Sequence, residues 1–334
     1  MDENQGVAGF YSDNSLIISG AFRPIFNDIE VIAANDLVLE VGVGVTNNAN
    51  FILGDVETPR TLSKINLEFI SGSYYNGEAQ MTKVNGYAAI TNKQNFIFPI
   101  GDLDKLRPLE LSSESINTTA KSAYFFENPN YPTSFLFAFN TDIKTDILSA
   151  ISTFEFWALD SELHSKVKLS WDPDSNLDAF VDKIENLRIV GWHSQNAIWE
   201  NLGGNSVVGD LESGEITSDT FIPDDYTAIS FGSSLNVANL SLDNYLLTPN
   251  GDGTNDFLSF DAICFSPKNN SLNIYNRWGR SVYSVDGYQN NFVGISDNSF
   301  TVSPNTKLPD GVYFYILKLD DINLSHQGYF AIKN

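Results

Sequence analysis

The chain has 334 residues, 42% hydrophobic and 13% aromatic, which is enough apolar material for packed cores in roughly two or three domains and too much for a disordered chain. Its 42 acidic against 19 basic residues give a net charge of −23, which repels phosphate backbones and argues against nucleic acid as a partner. No stretch approaches the roughly 20 apolar residues of a membrane helix, and a single cysteine, Cys264, excludes an intramolecular disulfide.

The charge is uneven. Residues 1–239 hold 33 acidic and 13 basic residues, and residues 240–334 hold 9 and 6. Such acidity serves solubility, or calcium-dependent adhesion by acidic loops. Cys264, between Ile263 and Phe265, reads as a small buried hydrophobe rather than a nucleophile. The start, Met1-Asp2-Glu3-Asn4, lacks the basic and apolar pattern of a signal peptide, so the chain is either cytosolic or numbered after removal of one.

Short runs rich in Val, Ile, Phe, Tyr and Thr indicate an all-β protein. Between residues 14 and 72 a polar corner repeatedly precedes a short alternating strand: Asn14-Ser15 before Leu16-Ile17-Ile18, Asn27-Asp28 before Ile29-Glu30-Val31, Asn35-Asp36 before Leu37 to Val41. Asn48 to Asn50 leads into Phe51-Ile52-Leu53, and Ser63-Lys64 into Ile65 to Phe69. Asn and Asp suit these corners because they tolerate left-handed backbone and bond their own chain. Strands this short, roughly 8–15 residues apart, suggest stacked β-rungs or a sandwich; the favoured reading is an N-terminal β-solenoid or stacked β-layer over residues 1–115. Val84 to Ala88, Phe96 to Asp102 and Leu106-Arg107-Pro108-Leu109 extend the series, with Gly and Pro punctuating strand ends.

Residues 116–235 predict a central β-sandwich. Phe154 to Leu159 and Val167 to Trp171 alternate with period two, Asp172 to Asn176 is a turn, and Leu187 to Trp192 is a further strand. Residues 177–186 fit one or two helical turns, Gly214 to Ser218 continues the strands, and Gly232-Ser233-Ser234 with the polar residues beyond it reads as a linker.

Little here carries catalysis, and the expectation is that the protein is not an enzyme. His164, His193 and His326 lie far apart without metal-type spacing, and nucleophile-elbow, P-loop and dinucleotide motifs are absent. Carboxylates are so abundant that a glycosidase-like pair carries almost no information. Trp157, Trp171, Trp192 and Trp199 read as sandwich core or as a sugar-stacking platform.

The loop Thr248-Pro249-Asn250-Gly251-Asp252-Gly253-Thr254-Asn255-Asp256 alternates oxygen-bearing and small residues. That spacing allows Asn250, Asp252 and Asp256 to surround calcium, or equally a turn locked by Asx hydrogen bonds. An EF-hand's acidic first position and bidentate glutamate are lacking; Ser259 occupies the later slot.

The same loop resembles the TPNGDGxND signature that opens the gliding-motility-associated C-terminal domain, the type B sorting domain of the Bacteroidota type IX secretion system. Three further segments match in order. Leu272 to Gly279, with Asn276-Arg277-Trp278-Gly279, resembles the family's strand and turn; Leu308-Pro309-Asp310-Gly311-Val312-Tyr313 resembles its hairpin; Gly328-Tyr329-Phe330-Ala331-Ile332-Lys333 resembles its closing strand. The family's W-D-G is replaced by Asn291-Phe292-Val293-Gly294. The resemblance covers residues 240–334 and implies a C-terminal β-sandwich of seven or eight strands that sorts and docks the protein. It also implies export to the extracellular surface, association with the outer membrane, and the secretion translocon and a PorP/SprF-family outer-membrane β-barrel as partners. It places signal-peptide removal before this numbering.

Within that module Arg277 has two readings. It serves internally, stacking on Trp278 or pairing with Asp252 or Asp256, or it binds a partner's carbonyls or carboxylates through its five-donor fork. Gly311 reads as the positive-φ residue of a tight turn. The closing strand, Gly328 to Asn334, reads as an edge that docks by pairing or as an interior strand. The passenger then reads as a gliding-associated adhesin or accessory surface component, against a rival reading as a carbohydrate-binding protein or polysaccharide hydrolase.

Overall fold

Alternation puts Ile29, Val31 and Ala33 inside with Asp28 and Glu30 outside, and Leu37 and Leu39 inside after an Asn35-Asp36 corner. A computed structural model describes residues 6–204, 206–234, 246–260, 270–297, 305–319 and 324–334. The start Met1–Asn4, the polar residues just past Ser234 and Cys264 lie outside them. Met1–Ser234 and Leu235–Asn334 form two units.

The first unit opens with a β-solenoid. One sheet stacks β1 (Val7–Ser12), β3 (Ile25–Ala33), β5 (Val43–Leu53), β7 (Leu67–Ile70) and β10 (Ala88–Phe98) in parallel. The facing sheet stacks β2 (Leu16–Ile18), β4 (Leu37–Leu39), β6 (Val56–Glu57), β9 (Val84–Asn85) and β11 (Ile100–Asp102), also in parallel. β8 (Tyr74–Asn76) adds beside β5. Asp36 turns its corner with φ 69°, and its Oδ1 accepts the Asp55 N–H of the next coil. On the outer face Glu30, Asn50 and Asn76 stand in register, Asn50 donating to Glu30 and Asn76 to Asn50. Two predicted corners are corrected: Asn27-Asp28 and Asn48 to Asn50 lie inside β3 and β5, where their polar side chains bond coil to coil, whereas Asn35-Asp36 turns the chain.

The stack ends at β12 (Lys105–Leu106), antiparallel to β11, and at β13 (Leu109–Phe125), antiparallel to β10. The first part of β13 pairs β16 (Ser165–Trp171) and its last part pairs β15 (Phe156–Asp160), so one strand feeds both layers of a sandwich. β16 continues to β20 (Gly214–Thr217) and β19 (Ser206–Gly209). β15 continues to β21 (Tyr226–Ser234), β17 (Leu187–His193) and β18 (Ile198–Asn201), with β14 (Leu148–Ile151) at the end of β21. β13 crosses residues 115 and 116, so solenoid and sandwich share a strand. Residues 177–186 contain two 3-10 turns, Leu177–Ala179 and Ile184–Asn186.

Two readings resolve here. Trp157, Trp171, Trp192 and Trp199 are all buried, so their rings are core rather than a stacking surface. The Gly232-Ser233-Ser234 segment is a correction: it is the buried end of β21, not a linker. A Cβ at Gly232 would lie 2.6 Å from Val190 Cγ1, so the position is small because packing there is close.

Where β13 joins the layers, charge is buried. Arg107 donates to Glu155 at 3.3 Å and also pairs with Asp172. Tyr124 donates its hydroxyl to the same Glu155 oxygen at 2.6 Å, and Trp157 Nε1 donates to the Arg107 carbonyl. Burial raises the Glu155 carboxyl above its ordinary value, and Arg107 opposes that rise. Removing the cation strands a buried carboxylate, a loss of about 3–5 kcal/mol. Arg107→Ala is therefore expected to lower the unfolding free energy of the first unit by that amount in chemical denaturation, and a loss under about 1 kcal/mol would contradict the clamp.

The second unit is a five-stranded sheet among the described residues, in the order β22 (Leu246–Leu247), β26 (Leu324–Ile332), β25 (Gly311–Leu319), β23 (Asn270–Asn276), β24 (Ser281–Asp286). Leu272, Ile274, Tyr315 and Phe330 bury one face against Leu258, Phe260, Tyr288 and Phe292. The covering layer touches through isolated bridges, Leu258–Phe292 and Ile295–Lys307, where seven or eight strands in all are expected. Phe292, from the segment that replaces W-D-G, packs 4.6 Å from Tyr283 and 6.2 Å from Phe330, and Gly294 takes φ 73°.

Candidate functional site

Asn276-Arg277-Trp278-Gly279 is a turn whose residues divide by role. Asn276 Oδ1 accepts the N–H groups of Trp278 and Arg280, and the Gly279 N–H donates to the Asn276 carbonyl at φ 73°. These two residues fix the backbone. Arg277 and Trp278 project from it: the guanidinium lies over the indole at 4.2 Å from the ring centroid, and Trp278 is 74% exposed. Of the internal readings for Arg277, stacking on Trp278 is the one present.

The turn lies between two concavities. One, of about 470 Å³, joins it to Asp310, Gly311 and Tyr313 of the hairpin, with Arg280 and Lys307 on the rim. The other, of about 660 Å³, joins it to Gly328 and Tyr329 of the closing strand. Three of the four sequence motifs therefore converge around Arg277. The first loop lines neither concavity.

The hairpin and the chain terminus hold each other. Asp310 Oδ1 accepts both the N–H and the side-chain amide of Asn334, which lowers the Asp310 carboxyl below its ordinary value, and Tyr313 donates to the Pro309 carbonyl at 2.9 Å. Gly311 opens β25 at φ 156°. Phe330 and Ile332 are core residues. At Gly328 a Cβ would meet the Tyr315 hydroxyl at 2.5 Å, so the side chain is excluded by a ring packed on Phe260.

One expectation is corrected. The end of the closing strand is not an open edge: β22 pairs Ala331 and Ile332 on one side while β25 pairs them on the other, and the Lys333 N–H donates to the Leu247 carbonyl. A two-residue strand far back in sequence occupies the place where a partner strand would add.

In the loop from Thr248 to Asp256, side-chain oxygens are spent on the loop's own N–H groups. Asp256 accepts from Asn250, Gly251 and Gly253; Asp252 accepts from Thr254 and the Asn250 amide; Asn250 Oδ1 accepts from Asp252. Thr248 is tied to the carbonyls of Asn255 and Thr254, and Gly251, Gly253 and Asn255 take φ of 81°, 86° and 56°. This supports the Asx-turn reading, with the loop following Pro249 folded about Asp256.

Sequence reading missed an aromatic row. Tyr275, Phe314 and Tyr329 stand in register across β23, β25 and β26, with Phe314 and Tyr329 half exposed. Together with Arg277, Trp278, Arg280 and Lys307 they give one end of the sheet an apolar and cationic surface, on a chain that is strongly anionic overall.

Residues 240–332 match the family model of the CHU_C Type IX secretion signal domain, so the chain carries a type IX sorting domain over its last quarter. No curated protein and no solved structure matches the chain.

The loop makes two outcomes measurable. Asp256→Ala removes three accepted N–H bonds and is expected to lower the Tm of the second unit by roughly 5 °C. Melting with and without a calcium chelator is expected to superimpose; a chelator-sensitive Tm abolished by Asp252→Ala would instead place calcium at Asn250, Asp252 and Asp256. Gly328→Ala is expected to destabilise the same unit by about 1–3 kcal/mol in denaturant unfolding, and a neutral result would show that the Tyr315 ring yields.

Proposed function

We propose that the protein is passed to the cell surface by the type IX secretion system and docked at the outer membrane through its second unit. The passenger acts as a gliding-associated adhesin or accessory surface component rather than an enzyme. The docking partner on this reading is a PorP/SprF-family outer-membrane β-barrel, approached together with the translocon. The observation that carries it is the Asn276–Gly279 turn, whose pinned backbone holds Arg277 and Trp278 out at the meeting point of three sorting motifs. An exposed, preorganised Arg–Trp pair beside aromatic residues has the composition of an interface anchor.

A second reading has one observation in its favour. A cleft of about 740 Å³ in the first unit brings Asp160, Glu162 and Asp224 beside Tyr87, Phe135 and Tyr226. Burial raises the Asp224 carboxyl, and its Oδ1 accepts the Ser161 N–H. Carboxylates beside aromatic rings are what a carbohydrate-binding protein or polysaccharide hydrolase would use. Saccharide binding or cleavage lost in Asp224→Asn would favour that reading; no binding across a polysaccharide panel favours the adhesin.

The docking claim is tested by Arg277→Ala/Trp278→Ala in a host with the secretion system. Both side chains are exposed, so the Tm is expected to stay within about 1 °C. The fraction of protein reached by external protease is expected to fall at least several-fold. Normal surface display from the folded double variant would remove Arg277 and Trp278 from the docking site.

A further inference from the structure

The segment between β13 and β14 carries apolar side chains that the core does not use. Residues 128–141 contain no charged residue, where the chain's 18% average would place two or three. Within them Tyr131, Leu136 and Phe137 are 81%, 95% and 79% exposed. One exposed Leu means little. Three large apolar side chains between positions 131 and 137, on a segment without charge, form the kind of patch that marks an interaction site.

The exposure is held in place. Phe135 and Phe139 anchor the segment, with ring centroids 5.2 Å from Phe125 and 5.5 Å from Phe156, and the Phe139 carbonyl accepts from Trp199 Nε1. The base is pinned from both sides. The Phe139 N–H donates to the Pro129 carbonyl, Asn130 Oδ1 accepts the Thr141 N–H, and Glu127 accepts both the N–H and the hydroxyl of Thr133. Polar groups at the base are thus bonded within the segment, and Pro129 and Pro132 have no N–H to satisfy. The tip is preorganised, so burying its side chains costs little further ordering.

We propose that residues 131–137 are a membrane-contact loop that seats Leu136 and Phe137 among the acyl chains of a lipid surface whose headgroups carry no net charge, with Tyr131 at headgroup level. Leu136 and Phe137 are consecutive and both project, so the tip is convex and presents apolar surface in more than one direction. A shaped protein pocket takes an anchor from one direction, whereas a fluid apolar phase accepts both. Charge is what a bilayer excludes most strongly, and the tip has none. Tyrosine suits the membrane–water boundary because its ring is apolar and its hydroxyl stays wet. Charge also selects the lipid. Residues 1–239 hold 33 acidic against 13 basic residues, so anionic headgroups repel the unit that carries the tip. This names a target for the passenger and rests on the adhesin reading for its setting, whereas the lipid contact itself is measured without export.

Co-sedimentation of the purified full chain with phosphatidylcholine vesicles, up to roughly millimolar lipid, tests this. The expected result is saturable binding that weakens several-fold when about 30% phosphatidylglycerol is mixed in at low salt, the difference shrinking as salt screens the repulsion. Leu136→Ser/Phe137→Ser is expected to weaken phosphatidylcholine binding by at least about tenfold. Its Tm should stay unchanged, since both side chains are exposed. A Phe137→Trp probe in a Trp278→Ala background reads the contact directly: its emission should shift to the blue with vesicles and be quenched by lipids brominated on the acyl chain. No binding of the unmodified chain overturns the inference and leaves a protein pocket as the partner of the tip. Binding that survives the double Ser variant overturns it, as does binding without a shift at position 137. Tighter binding to the anionic vesicles also overturns it, because cationic residues elsewhere would then make the contact. A failure in any of these arms leaves surface export by the second unit untouched, which the Arg277→Ala/Trp278→Ala variant tests separately.

Discussion

A sheet cannot stop without leaving a row of unpaired N–H and C=O groups, and two places where this chain covers such a row organise it. In the first unit β13 does the closing. It caps the parallel stack at β10 and then divides, pairing β16 with its first part and β15 with its last. The joint brings Arg107, Glu155, Tyr124 and Trp157 together inside the fold. A buried ion pair of this kind is weak as net stabilisation but severe when broken, so it fixes how the two layers meet more than how tightly.

In the second unit the same constraint is met at the closing strand. β22 is only two residues long, yet it covers Ala331 and Ile332, and Asn334 folds back onto Asp310. With that place filled, the exposed features of the closing end are side chains of the neighbouring turn. Arg277 and Trp278 are held out by a turn whose other two residues, Asn276 and Gly279, serve only to fix it. The division explains how a short motif can combine a rigid scaffold with an adaptable surface.

Much of the fold was legible in sequence because the signals were local. The short alternating strands read as rungs, and they are rungs, with Asp36 turned into the left-handed region as its type allows, but Asn27-Asp28 and Asn48 to Asn50, read as corners, run on inside β3 and β5. The four ordered motifs located the sorting domain. What failed was non-local. Gly232-Ser233-Ser234 looks like a linker in isolation, and only the nearness of Val190 shows why small residues sit there in a strand. A two-residue β22 has no periodicity to read. Tyr275, Phe314 and Tyr329 become one surface only through strand register, and Arg280 and Lys307 are unremarkable charges until the hairpin brings them beside Trp278.

The central claim is that the second unit by itself carries the address. Its most direct measurement fuses residues 240–334 to a fluorescent protein behind a signal peptide, in a host with the type IX system, and scores the reporter by external protease. The account predicts a reporter that is exported and cleaved from outside. A folded reporter retained in the periplasm, even with part of the sandwich added upstream, would contradict it.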